Sequence, residues 1–415
     1  MKTNPVKGTK DFLPAETRLR DYVRGVILDT YRASGFERVS TPILEDMENL
    51  NKSEGGDNLN LIFKIMKRGE KLDEAFASRD PDALCDMGLR YDLTLPLARF
   101  YAANKEALPR VFKVIQTDRV YRAERPQKGR MREFIQCDID ILGDESHQAE
   151  IELIDVTTRA LGKLGFRGFT VNINDRRILR GMLEGMGFTP ESLESVCVSF
   201  DKLDKIGASG VCEELRGKEC PAEAIDRLGA LLEKGDLSLD AVRQYYSDEE
   251  VISRVEEIVA SANALSEGGY TAVFDASLTR GQGYYTGCVF EVRQPGYPGA
   301  IAGGGRYDRM IGKFTGTDTP AVGFSIGFER ICQILAEQGF TVPGDKRLAL
   351  LYKDDAPFTD VLRKAQSLRS EYAVTVLKQR KLSKQLGQLE QQGYAFAAFF
   401  DTGDIKPLGA EKQDG

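Results

Sequence analysis

The sequence predicts an α+β protein: an antiparallel sheet core with flanking helices, interrupted by a helical insertion domain and followed by a C-terminal α/β domain. Three observations carry this. The segments "RVFKVIQTDRVYRAE" and "REFIQCDIDIL" alternate apolar and polar residues on either side of a polar middle, as two long antiparallel strands do. From about 176 to 265 the chain turns helical and charged, as in "DRRILRGMLEGMGF" and "VISRVEEIVASANAL". After "TVPGDKR", which reads as a linker, "LALLYK", "FTDVLRKAQSLRSEY", "AVTVLK", "KLSKQLGQLEQQGY" and "AFAAFFD" follow in β-α-β-α-β order. The expected boundaries are 1–175 and 266–338 for two parts of one core, 176–265 for the insertion and 345–415 for the last domain.

The elements follow in order. "ETRLRDYVRGVILDTYRASGFERVSTPILE" places Leu19, Tyr22, Val23, Val26, Ile27 and Tyr31 at helical spacing, with Gly35 as the stop. A short strand then runs to Pro42, which cannot donate a ladder hydrogen bond and so suits an edge. "LIFKIMKRG" suggests a strand entering a hairpin, and "PLARFYAANK" a helix with Pro96 in its first turn. Between them, Asp92 and Thr94 of "LRYDLT" share a face if extended. Such a pair can floor a pocket or cap a helix, and the spacing by itself favours the cap.

In the long hairpin, Arg122 and Glu124 share one face, as do Gln136, Asp138 and Asp140 on the return strand. Its loop, "RPQKGR", is too long and charged for a minimal turn. Strand signals return in "YTAVFDASLTRGQGYYTGCVFEVRQPG". "AIAGGGRYDRMIG" and "PAVGFSIGFERICQILAEQGF" then form a glycine-rich, partly extended region ending in a helix.

Composition narrows the chemistry. A chain of 415 residues with 41% hydrophobic content suits two or three domains. Seven cysteines without a CxxC pair read as reduced, mostly buried thiols. The one histidine, His147, sits in polar "GDESHQAE" and reads as solvated; a Ser-His-Asp triad that used it, an HExxH site or a multi-histidine metal cluster finds no support. No run is long and apolar enough for a membrane span, and the first residues lack the apolar core of a signal peptide, so the expected location is cytoplasmic, with no membrane partner.

The net charge of −7 makes five basic residues between 120 and 133 stand out as a local basic surface. "RGQGYYTG", "AGGGRYD" and "GFSIGFER" are neither P-loops nor Rossmann turns. Their glycines permit close approach of a backbone or flat ligand, and Arg280, Arg306 and Arg330 place fixed positive charge nearby. Arginines with carboxylates between them suit a reaction that develops negative charge at phosphorus; for any single arginine, structural ion pairing is the plainer alternative.

"GFERVSTPILE", "VYRAERPQKGRMREFIQCDIDILG" and "AVGFSIGFERI" resemble, in order, the three signature motifs of class II aminoacyl-tRNA synthetases. "LRYDLTLP", "RGQGYYTGCVFE" and "AGGGRYD" look like segments particular to the histidyl-tRNA synthetase family. The resemblance covers nearly the whole chain. It implies a class II antiparallel sheet and ATP-dependent activation of L-histidine, followed by transfer to the 3′ end of tRNA(His). Arg122 would hold the α-phosphate of ATP, Glu124 the adenine amino group, and Arg130 and Arg330 the outer phosphates. Arg280 would bridge the amino acid carboxylate and the α-phosphate.

For histidine, the resemblance implies that Asp92, Thr94 and Gln136 receive the α-ammonium, and that Asp140 and Tyr285, with Tyr284 beside them, grip the imidazole. Gln127 and Lys128 would meet the tRNA acceptor end. Mg²⁺ would accompany ATP, with no protein residue assigned as a metal ligand. The last domain would read the anticodon, and the first motif would form a homodimer interface. Gln282 and Gly283 depart from the Leu and Asp usual in the family. "DIKPLGAEKQDG" stands where relatives usually carry a further strand and helix. A paralogue, the catalytically silent regulatory subunit of ATP phosphoribosyltransferase, shares the core and a histidine-sized pocket but usually lacks the anticodon domain and drifts at the ATP-binding arginines.

Overall fold

The computed structural model describes residues 1–51, 60–125, 131–279, 285–344 and 346–409. Two compact units form, Met1–Gly339 and Phe340–Gly415. The first unit opens on the helix Pro14–Ala33, with proline in its first turn and Leu19, Val23, Ile27 and Tyr31 on its buried face. Gly35, at φ 83°, turns the chain out of it.

β1 (Glu37–Arg38) lies at a sheet edge, as Pro42 predicts. β2 (Leu44–Asp46), β3 (Lys64–Met66) and β4 (Cys85–Leu89) make a separate three-stranded sheet. β5 (Phe112–Tyr121) and β6 (Glu133–Leu142) are the long antiparallel hairpin, followed by β7 (Phe169–Asp175), β8 (Tyr270–Phe274), β9 (Cys288–Arg293), β10 (Ala300–Arg306) and β11 (Ala321–Ile326).

These complete one sheet in the order β1-β5-β6-β11-β10-β9-β7-β8. Among the described residues it has eight strands and is antiparallel except at its edges. β1 pairs parallel with β5, and β8 parallel with β7. The second exception follows from topology. The helices between Arg176 and Leu265 carry the chain back to the end of the sheet at which β7 began, the crossover that parallel neighbours require.

One face of the central strands is buried throughout, at Cys137, Ile139, Ile141, Val322, Phe324 and Ile326, with the helices Gln148–Lys163 and Phe328–Glu337 against the sheet. The opposite face is apolar at one end only. Phe112, Val114, Leu142 and Ala321 pack there with Leu95, Leu97 and Tyr101 of the helix Thr94–Asn104 and with Met310 and Ile311 of the helix Asp308–Thr315. Beyond that cover the face turns polar. All seven cysteines are free thiols, and five are buried.

In the second unit, β12 (Arg347–Tyr352) pairs parallel with β13 (Ala373–Lys378) and β14 (Phe396–Phe399). Alternate residues of β12 enter two different cores, Leu348 and Leu350 with Val361, and Ala349 and Leu351 with Leu389. β15 (Ile405–Pro407) adds an antiparallel edge that the sequence reading did not anticipate.

Candidate active site

The polar end of the sheet is the floor of a cavity of about 640 Å³, a size suited to small-molecule substrates. Register explains its composition. Directly paired residues share a face, so Val114, Asp140, Gly323 and Gly305 form one row across β5, β6, β11 and β10. Gln116, Asp138, Ser325 and Gly303 form the next, and Asp118 and Gln136 begin a third. In the first two rows the carboxylates come from β6, and β11 and β10 contribute only glycine and serine, which leaves the space above them open.

Gly323 shows the constraint most sharply. A Cβ there would sit 2.0 Å from Oδ1 of Asp140 and 3.2 Å from the Tyr307 ring. Any side chain would expel the carboxylate from its place.

Eight residues singled out in the sequence line this one cavity: Asp92, Thr94, Arg122, Glu124, Gln136, Asp140, Tyr285 and Arg330. Asp92 serves both readings left open for it, because its Oδ1 accepts from the Leu95 amide at 3.2 Å while it faces the cavity. Arg122 donates from Nε to the Tyr91 carbonyl at 3.0 Å and lies over the Phe134 ring. Arg330 donates to the Ala300 carbonyl. Gln127, Lys128, Arg130, Arg280 and Tyr284 lie outside the described residues.

The carboxylates are unusual in their protonation. Burial pushes Asp140 up to about 7, against the opposing pull of the Tyr307 hydroxyl, which donates to Asp140 Oδ1 at 2.6 Å; the charge of Asp92 adds to the rise. Asp92 is raised to about 6, again by burial, with Arg122 acting against the shift. Burial and then the neighbouring Asp140 hold Asp138 well above the usual carboxylate range. A cavity with this many buried acids gains from an incoming cation, which restores their ionised forms.

Three residues that the sequence did not assign contribute. Asp138 shares the face already recognised for Gln136 and Asp140. Tyr307 orients Asp140. Glu329 accepts two bonds from Arg20, at 2.5 and 2.7 Å, and one from the Ile135 amide at 3.1 Å, joining the first helix, the start of β6 and the helix that carries Arg330. No local pattern marks the last two, because their partners are far away in sequence.

Two expectations need correction. Arg306 does not serve the cavity. It is 8% exposed and bound to Glu150 at 2.6 and 2.7 Å, with further bonds to the carbonyls of Asp144 and Ser146. The plainer alternative, structural ion pairing, holds for it. His147 is partly buried rather than solvated, with Nε2 2.8 Å from Oε2 of Glu257.

The family model described as histidyl-tRNA synthetase matches residues 8–331, which takes in every strand of the cavity floor. The chain belongs to the histidyl-tRNA synthetase family. A histidine–tRNA ligase of Leifsonia xyli is 40% identical, with 97% of this chain and 98% of the relative aligned. A probable histidine–tRNA ligase of Tropheryma whipplei is 41% identical over 85% of this chain and 84% of its own. Among solved structures, histidyl-tRNA synthetase from Nostoc sp. PCC 7120 superposes with a TM-score of 0.80 at 26% identity, covering 98% of this chain and 96% of that one. An ATP phosphoribosyltransferase regulatory subunit/histidyl-tRNA synthetase from Bacillus halodurans reaches 0.76 at 20% identity, a likeness of fold alone.

Proposed function

We propose that this chain joins L-histidine to tRNA(His) in two steps within the cavity described. A carboxylate oxygen of histidine attacks the α-phosphorus of ATP, and the bond to the β-phosphate breaks to release pyrophosphate. A terminal ribose hydroxyl of the tRNA then attacks the carbonyl carbon of histidyl-adenylate, and AMP leaves. The observation that carries this reading is the two-sided charge of one cavity: buried acids on β6 for a cationic amino acid, with Arg122 and Arg330 on the same walls for phosphates.

In this reading Asp140 and Tyr285 take the imidazole, with Tyr284 beside them, and Asp92, Thr94 and Gln136 take the ammonium. Arg122 holds the α-phosphate and Glu124 the adenine amino group. Arg330 and Arg130 hold the outer phosphates, and Arg280 bridges the two substrates. Gln127 and Lys128 meet the acceptor end of tRNA. Mg²⁺ enters with ATP and offsets phosphate charge. No side chain need act as a base, so the chemistry rests on positioning and electrostatics.

The chain works as a cytoplasmic homodimer, with 176–265 as an insertion domain and 345–415 as the anticodon-binding domain. In support of the dimer, Leu44 is 50% exposed and Met87 39%, on one face of the three-stranded sheet, beside exposed Ile43 and Met66. Among the described residues, no helix is long and apolar enough to cross a membrane.

The test is exchange of pyrophosphate into ATP without tRNA, with each amino acid in turn. Exchange with histidine alone supports the reading. Folded protein that gives no exchange would favour the regulatory paralogue.

A further inference from the structure

Two acceptors in the cavity floor have no donor among the described residues. Asp138 is 5% exposed, and its Oδ1 has no hydrogen-bond partner among the described residues; the same is true of the neighbouring Gln136 Oε1. Their other atoms are engaged with each other: Gln136 Nε2 donates to Asp138 Oδ2 at 3.3 Å, and the Ser325 hydroxyl, opposite Asp138 on β11, supports the same carboxylate. Both residues line the cavity, with the two donorless oxygens buried at its floor.

Buried acceptors left without donors are costly, and native proteins retain them where a ligand supplies the missing group. The tyrosine-oriented Asp140 already has a donor at Oδ1. Asp138 does not. An imidazole brings at most two N–H groups on opposite sides of a ring, whereas a primary ammonium brings three donors and a positive charge at one atom. Adjacent acceptors, one of them a carboxylate, match the ammonium.

Resting on the reading of the cavity as a histidine site, we propose that Asp138 is a further amino acid-binding residue: its Oδ1 takes the substrate α-ammonium while its Oδ2 orients Gln136 to do the same. Asp138 and Gln136 then join Asp92 and Thr94 around the ammonium, with Asp138 two residues along β6 from the group that grips the imidazole. The spacing between these two anchors measures the substrate from its α-carbon to its ring. It makes Asp138 a determinant of specificity for a free amino group.

The test uses the full chain and its Asp138→Asn variant, with calorimetric binding of L-histidine, histidinol and imidazolepropionate. Histidinol keeps the ammonium and lacks the carboxylate; imidazolepropionate does the reverse. Loss of a charged hydrogen bond predicts roughly 10- to 100-fold weaker binding of histidine and histidinol. Imidazolepropionate should change by less than about threefold, and ATP affinity, which also reports a folded cavity, by less than about twofold.

Equal weakening of all three imidazole ligands would overturn the assignment, because it would mean a structural role. Unchanged histidine binding would overturn it too. Failure of the unmodified chain to bind histidine would instead overturn the functional reading, and this assignment with it. An Asp138→Ser variant guards against a folding defect peculiar to the amide and is expected to show the same split between ligands.

Discussion

Replacing Tyr307 with Phe removes one hydroxyl from a site where both partners are buried. Tyr307 is 2% exposed and Asp140 4% exposed, and the bond between them is 2.6 Å long. A hydrogen bond to a charged acceptor is worth about 1.5–3 kcal/mol, or roughly one to two pK units. Asp140 already stands at about 7 with the hydroxyl in place. Without it, the carboxyl should rise by roughly one to two units, so its ionised fraction at pH 7 falls from about half to roughly 1–10%. If ionised Asp140 grips the imidazole, the KM for histidine at pH 7 should rise roughly 5- to 50-fold with little change in the KM for ATP. The assay is pyrophosphate exchange at saturating ATP, from pH 6.5 to pH 9. The defect should shrink steadily toward alkaline pH, as the carboxyl is titrated again. A KM within about twofold of the unmodified protein at pH 7, or a loss equal at every pH, would mean that Tyr307 does not set the ionisation of Asp140.

Three further outcomes follow from the same geometry. Gly323→Ala should raise the histidine KM by at least about tenfold and cost roughly 1–3 kcal/mol of stability, measurable by urea unfolding, because the new methyl occupies the place of Asp140 Oδ1. Asp140→Asn should abolish histidine-dependent exchange yet stabilise the ligand-free protein at pH 8. A carboxyl raised from 3.8 to about 7 gives stability that is full below about pH 4 and lost as pH rises through 7, a difference on the order of 4 kcal/mol that the amide does not incur. Unfolding curves at pH 5 and pH 8 should therefore diverge less for the variant. Arg20→Met should cost roughly 2–4 kcal/mol, since it leaves the part-buried Glu329 without its bidentate partner, and should raise the KM for ATP through the adjacent Arg330.

The sequence made the floor of the site legible and left its surroundings hidden. Alternation in "REFIQCDIDIL" put Gln136, Asp138 and Asp140 on one face because the side-chain period of a strand is two, and the structure keeps them there. Pro42 and Gly35 announced an edge and a helix end for equally local reasons. Pairing partners are not local. Nothing near Arg306 shows that Glu150, which lies 156 residues away, will neutralise it, and nothing near His147 points to Glu257. The same holds for Tyr307 and Glu329, whose roles depend on which strands become neighbours. The parallel edge of β7 and β8 was hidden because it depends on where a long helical crossover returns the chain.

The most direct measurement is a crystal structure of the chain with histidinol and ATP bound. The imidazole is expected between Asp140 and Tyr285, the ammonium against Asp138 and Gln136, and the phosphates on Arg122 and Arg330. Histidinol seated with its ring away from Asp140, or ATP bound outside this cavity, would contradict this arrangement.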